Sequence, residues 1–313
     1  MANYLVTGGA GFIGSHIVRR LVGEGHAVRV IDNLSTGSRE NLDDVIHRID
    51  FIEGDICSAT SMHEVAEGVD YILHQAAMPS VPRSVRDPIT TNHVNVGGTL
   101  QVLVAARDHK VKRVVHASSS SVYGNTPTLP KVETMRPTPL SPYACSKLAG
   151  EQYGCAFYGT YGLEYTALRY FNVFGPYQNP QSQYSAAIPK FVTAYLKGQA
   201  PTVFGDGQQS RDFCFIDNVV EANLLACKAE GAAGRVFNIA CGARVSLLEV
   251  LEQLSTIFDR TIEPTFDAHR AGDVKHSQAD IEAAKTVLGF DPAVFFDEGL
   301  RRTAEWYRWR AKR

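Results

Sequence analysis

Apolar positions in roughly the first 170 residues fall into two alternating rhythms. Short, β-branched-rich runs occupy 3–7, 27–32, 51–53, 69–74, 113–118 and 164–169. Between the first two, Ile13, Ile17 and Leu21 recur with Val18 and Val22 at helical spacing and predict a helix over 11–25. Two further helices are predicted over 94–107 and 142–161. Strand and helix in alternation predict an α/β fold built on a doubly wound parallel sheet. The strand runs are mostly apolar throughout, as strands covered on both faces must be.

The texture changes after about residue 172. Loops rich in Gly, Pro and Gln at 175–185 and 205–209 interrupt short elements, and the C-terminal stretch reads as mostly helical. This predicts a smaller region lying across the C-terminal edge of the sheet. The strand-like runs 213–216 and 236–239 are expected to return to the first region. The expected division is therefore 1–172 plus about 213–239 for one domain, and 173–212 with 240–313 for the other.

Composition narrows the function. A chain of 313 residues, 44% hydrophobic and 20% charged, buries a core that needs no disulfide or metal staple. Its net charge is −2 and it carries no Lys/Arg run, so neither nucleic acid nor a membrane surface is an expected partner. An anionic ligand must be held by a few placed arginines instead. No apolar stretch reaches the length of a membrane span and no basic leader precedes the first strand, so a cytoplasmic protein is expected. Cys57, Cys145, Cys155, Cys214, Cys227 and Cys241 show neither CxxC nor zinc-ligand spacing, and no metal is expected.

Candidate chemistry begins at Thr7-Gly8-Gly9-Ala10-Gly11-Phe12-Ile13-Gly14, placed between a strand and an amphipathic helix. Glycines at 8, 11 and 14 let the turn tighten, the backbone approach a pyrophosphate and the helix pack on the sheet. The helix N-terminus offers that pyrophosphate free N–H groups and a positive dipole end. Asp32 closes the second strand, where a carboxylate accepts ribose hydroxyls and repels a 2′-phosphate, selecting NAD over NADP. Asp55 follows the third strand within reach of an adenine amino group.

Tyr143-x-x-x-Lys147 puts a phenol and an ammonium one helical turn apart, with Ser141 as N-cap and Pro142 in the first turn. A neighbouring cation lowers a phenol's pKa toward neutrality and makes it a usable base. Upstream, Ser118-Ser119-Ser120-Ser121 ends an apolar strand, facing the crevice where ligands bind in such sheets.

Together with His74-Gln75-Ala76-Ala77, Val122-Tyr123-Gly124 and Arg169-Tyr170-Phe171-Asn172-Val173-Phe174-Gly175, these motifs resemble an extended short-chain dehydrogenase/reductase. Gly205-Asp206-Gly207, Arg211-Asp212-Phe213, Phe237-Asn238-Ile239-Ala240 and Arg270-x-Gly272-Asp273 continue the likeness in order along nearly the whole chain. Within that family the chain is most similar to UDP-hexose 4-epimerases, UDP-N-acetylglucosamine 4-epimerases above all. The resemblance implies a Rossmann-type sheet, a smaller substrate domain and tightly bound NAD. It also implies a homodimer in which helices 94–107 and 142–161 pair as a four-helix bundle.

The same resemblance implies residue roles. Tyr143 removes the 4-hydroxyl proton of a UDP-sugar, Lys147 holds the nicotinamide ribose, and the catalytic hydroxyl falls on Ser119, one of four consecutive serines. NAD is expected at Gly8, Gly11, Phe12, Ile13 and Gly14, and at Asp32, Asn33, Asp55 and Ile56. Gln75, Ala76, Ala77, Tyr170 and Val173 complete that set beside Tyr143 and Lys147. UDP is expected at Asn172, Phe204, Arg211, Arg270 and Asp273, and the sugar at Ser80, Ser119 and Ser277. Paired arginines suit a diphosphate through charge-assisted, fork-shaped hydrogen bonds.

One departure concerns Pro79, where many hexose epimerases carry Lys; Pro donates no hydrogen bond, so contacts there fall to Ser80. Sugar-nucleotide 4,6-dehydratases, on the same scaffold, carry an Asp-Glu pair where this chain has Ser120 and Ser121, and decarboxylases also share the fold. A non-catalytic NAD-binding regulator is expected to have lost Tyr143 or Lys147, and both are present.

Overall fold

A computed structural model describes residues 1–180, 187–268 and 274–312. Its centre is a sheet of seven strands: β1 (Asn3–Thr7), β2 (Ala27–Asp32), β3 (Asp50–Glu53), β4 (Tyr71–His74), β5 (Arg113–Ser119), β6 (Glu164–Tyr170) and, later in the chain, Arg235–Ile239. All pair in parallel, in the order Arg235–Ile239, β6, β5, β4, β1, β2, β3. The order reverses between β1 and β4, which end at Thr7 and His74; ligands of such sheets bind beyond the strand ends at this switch point. The predicted doubly wound parallel sheet is therefore present.

Helices cover the sheet because their apolar faces need burial. In α1 (Phe12–Gly23), Ile17, Val18 and Leu21 are fully buried, each stabilising the fold by about 1.5–3 kcal/mol. The next helices are α2 (Ala59–Ala66), α3 (Val81–Arg86), α4 (Pro88–Asn92), α5 (Thr99–Asp108) and α6 (Pro142–Tyr161). The helix predicted over 94–107 begins instead as a π-helical turn, His93–Gly98, before α5. Apolar spacing does not distinguish that wider turn from an ordinary helix. In α6, Ser141 accepts the Ala144 N–H at 3.1 Å, Pro142 occupies the first turn, and Gly162 ends the helix in the left-handed conformation.

Past β6 the elements are β7 (Val173–Phe174), α7 (Ala187–Lys197), β8 (Thr202–Phe204), β9 (Ser210–Arg211), β10 (Cys214–Phe215), α8 (Ile216–Lys228) and β11 (Arg235–Ile239). They are followed by β12 (Val245–Ser246), α9 (Leu247–Phe258), β13 (Thr265–Asp267) and α10 (Phe296–Arg310). The 236–239 run lies in β11, which pairs with β6 in the main sheet. The run 213–216 behaves differently: Cys214–Phe215 pairs with β7 in a separate two-stranded ribbon, and Ile216 already opens α8. A four-residue apolar run is too short to show which partner it will find. Among the described residues no helix is long and apolar enough to cross a membrane.

Candidate active site

The glycine turn sits at the switch point. Gly8 has φ +69°, and a Cβ there would lie 2.7 Å from the Ala76 backbone on the neighbouring β4 loop. A Cβ on Gly14 would lie 2.2 Å from the Gly8 carbonyl oxygen, so the turn and α1 pack without room for a side chain. Gly11 caps α1 without a side chain, which leaves first-turn N–H groups at Phe12 and Ile13 for a ligand. The donors and the bare backbone fit a dinucleotide pyrophosphate.

Asp32, at the end of β2, is buried and accepts the Ala10 N–H at 3.0 Å and the Leu34 N–H at 2.8 Å. Burial pushes its carboxyl pKa up while those two bonds oppose the rise. A carboxylate has about four acceptor positions, so capacity for ribose hydroxyls remains. Asn33 is exposed and donates its side-chain N–H to Asp55 at 3.0 Å, joining two predicted contacts on one rim. Ile56 is buried and packs beneath Gly98.

On the other side of β1, the Ala76 N–H bonds the Thr7 hydroxyl, and Gln75 donates to Asn223 at 3.0 Å. The buried Tyr170 hydroxyl joins them, donating toward Gln75 at 3.2 Å and lying 2.8 Å from the Asn223 side-chain N–H that donates to it. Ala77 and Val173 are half-buried near these elements. Many of the residues expected to hold the cofactor thus lie at or just after the ends of β1, β2, β4 and β6.

Tyr143 and Lys147 lie on α6 opposite the end of β5. Ser119 acts on the Tyr143 phenol, pulling its pKa down, and Ser121 donates its hydroxyl to Ser119 at 2.9 Å. Ser118 turns elsewhere and donates to Glu151. Of the serine run, Ser119 is therefore the member set against the phenol. Lys147 is 4% exposed and donates from Nζ to the Ala117 carbonyl at 2.7 Å.

The expected lowering of the phenol by its lysine is not what this geometry produces. Burial pushes the Tyr143 pKa up, and Ser119 opposes the rise. Burial also brings Lys147 down to about 8, against an upward pull from Glu151. Removal from water is the largest effect on both groups.

Two participants escaped sequence reasoning. Asn95, in the π-helical turn, accepts the Met78 N–H at 2.6 Å and donates to the Met78 carbonyl and to Ser146 on α6. It fixes the loop that carries Ser80, whose φ of +94° is rare outside glycine and whose hydroxyl caps α3. An Asn inside a helical pattern gives no local sign of this role. The second is Glu151, discussed below.

The described residues expected to meet UDP lie past β6 in the chain. Asn172 adopts φ +28° and donates from its side chain to the Asp212 carbonyl. Arg211 on β9 donates to the Ser210 and Lys275 carbonyls, each at 3.0 Å. Asp212 is fully buried and accepts the N–H groups of Cys241, Gly242 and Ala279, which joins the chain just past β11 to the end of β9. Burial raises its pKa to about 6. Phe204 ends β8, half-buried. Ser277, also half-buried, donates its N–H to the Ser210 carbonyl at 3.0 Å, which places it one residue from Arg211 across that junction. Arg270 and Asp273 lie outside the described residues.

Comparison with known proteins agrees with this geometry. Residues 4–240 match the family model described as the NAD dependent epimerase/dehydratase family. The chain is 40% identical to a UDP-glucose 4-epimerase of Mycolicibacterium smegmatis, over 97% of this chain and 98% of that protein. Among solved structures it resembles a UDP-N-acetylglucosamine 4-epimerase from Methanobrevibacter ruminantium in complex with UDP-N-acetylmuramic acid. That match has a TM-score of 0.95 and 40% identity, covering 99% of each chain. It equally resembles a UDP-glucose 4-epimerase from Thermotoga maritima with UDP-glucose, at TM-score 0.95 and 38% identity over 99% of each chain. With a glycine cradle at the switch point, an acidic residue ending β2 and likeness along its whole length, this chain belongs to the NAD-dependent epimerase/dehydratase family of enzymes.

Proposed function

We propose that this enzyme is a UDP-sugar 4-epimerase. Its substrates are UDP-N-acetylglucosamine and UDP-N-acetylgalactosamine, with UDP-glucose and UDP-galactose also accepted. The observation that carries the reading is buried Lys147, one turn from Tyr143, seated at 2.7 Å on the carbonyl of Ala117, two residues before Ser119, on a sheet whose switch point carries the glycine turn. The substrates named for the similar epimerases support the UDP-sugar class.

Bound NAD would supply the hydride-accepting and hydride-donating chemistry for inversion at C4 of the sugar. Gly8, Gly11 and Gly14 hold its pyrophosphate and Asp32 its adenosine ribose. Tyr143 takes the 4-hydroxyl proton and later gives it back, with Ser119 bridging the sugar hydroxyl and the phenol. Lys147 holds the nicotinamide ribose, and Arg211 with Asn172 holds the UDP diphosphate. Ser120 and Ser121 carry no acid for elimination of water, which disfavours the dehydratase reading.

The reading includes a homodimer through 94–107 and 142–161. On and beside α6, Ile89, Leu140 and Tyr153 are 81%, 66% and 41% exposed, and Cys145 is exposed among them. Covering that face would remove these apolar side chains from water. Sedimentation should give twice the mass of one chain; a single-chain mass at micromolar concentration rejects the dimer.

Ser277 is the proposed gate for the C2 substituent. A serine leaves the space an N-acetyl group needs, whereas a bulky side chain fills it, and overpacking costs about 1–3 kcal/mol or more. Ser277→Tyr should suppress turnover of the acetylated pair about tenfold or more and spare UDP-galactose. Conversion of UDP-glucose and UDP-galactose alone by the wild type, or equal loss of both pairs in the variant, removes Ser277 from that role.

A further inference from the structure

Glu151 lies one turn beyond Lys147 and two beyond Tyr143, so the three share one face of α6. Its carboxylate has no exposed surface. Arg169 on β6 grips it with two hydrogen bonds, Nε to Oε1 at 2.9 Å and Nη2 to Oε2 at 2.7 Å. Ser118 on β5 donates its hydroxyl to Oε1. The residue before Ser118 supplies the carbonyl that holds Lys147, and the residue after it is Ser119. Tyr170 and Asn172 follow Arg169 in the chain. One carboxylate thus clamps together the helix and the two strand ends that carry the site.

Such a clamp is costly to build. A buried ion pair repays its desolvation only with excellent geometry and full hydrogen bonding, and apolar residues of similar volume often serve stability as well or better. Stability alone is therefore a weak reason for this pair. Its position supplies another.

We infer that Glu151 is a positioning residue for the reaction: by tying α6 to Ser118 and Arg169 it keeps Lys147 seated on the Ala117 carbonyl and Ser119 set opposite Tyr143. The inference rests on the roles assigned above to Tyr143 and Lys147. Other groups face Lys147 from every side. His74 comes from β4 and His116 from β5, stacked 5.1 Å apart, fully buried and held neutral by that burial. Arg169 and Tyr165 come from β6, lying behind Glu151, with Cys155 beside it on α6. Glu151 opposes the fall that burial imposes on the Lys147 ammonium.

The test compares NAD-loaded wild type, Glu151→Gln, Glu151→Asp and the double variant Glu151→Gln/Arg169→Met, following kcat and KM for a UDP-sugar from neutral to alkaline pH. Melting temperature and bound NAD are read on the same samples. Loss of the carboxylate should move the alkaline limb of kcat to lower pH by about one unit or more, with KM little changed. Glu151→Asp should keep the limb near its original place. The double variant removes the stranded arginine, so its melting temperature should recover while its limb stays displaced. If Glu151→Gln does not fold, the double variant decides alone. A limb that superimposes on wild type in any folded, NAD-holding variant lacking the carboxylate overturns the inference and leaves Glu151 a structural residue. That result is distinct from failure of the site itself, which shows as undiminished turnover in Tyr143→Phe.

Discussion

Tyr143→Phe should lower turnover by about 10²–10⁴-fold while NAD remains bound. The ring stays, so the packing of α6 against β5 stays with it; what leaves is the hydroxyl that Ser119 acts on. In the proposed reading the pyrophosphate and adenosine of the cofactor are held by the glycine turn and the β2 rim, so the purified variant should carry as much NAD as wild type. Burial holds the phenol above its ordinary value and the Lys147 ammonium down to about 8, so the lysine is the first of the two to lose its proton as pH rises. Above about pH 8 the Lys147 ammonium discharges and turnover should fall. A rate in Tyr143→Phe close to wild type shows that the 4-hydroxyl proton leaves by another route.

Gly14→Ala should produce protein with little or no NAD and activity at least about 100-fold lower. The new methyl would sit 2.2 Å from the Gly8 carbonyl oxygen and 2.7 Å from the Gly9 Cα. Both neighbours are backbone, so relief requires the turn itself to move. A displacement near 1 Å misplaces a pyrophosphate and everything attached to it. Gly23→Ala, at the far end of the same helix, is the control: a Cβ there meets nothing within 4 Å. It should keep its NAD and gain rather than lose stability, because alanine is the better helix former. Equal cofactor content in the two variants rejects the glycine cradle.

Much of this architecture was legible because it is local. Strands from β1 to β6 announce themselves as short apolar runs between turn signals, and the cap of α6 is written in Ser141-Pro142. The glycine spacing is local as well, since each glycine answers a neighbour a few residues away or a strand beside it. What stayed hidden depends on partners distant in sequence. Glu151 and Arg169 are 18 residues apart on different elements, and neither looks unusual in its own segment. The pairing of β10 with β7 depends on a turn between Tyr170 and Val173 that composition does not encode. The upward push on Tyr143 escaped notice for a related reason: helical spacing reveals the lysine next to the phenol but not the depth at which both are buried.

The measurement that bears most directly on the proposed epimerase is NMR of UDP-N-acetylglucosamine incubated with the purified protein and no added NAD. A mixture of the gluco and galacto configurations at C4 should appear and stop at the same ratio from either direction, with no net reduced cofactor released. An unchanged C4, or a product that has lost water or carbon dioxide, contradicts it.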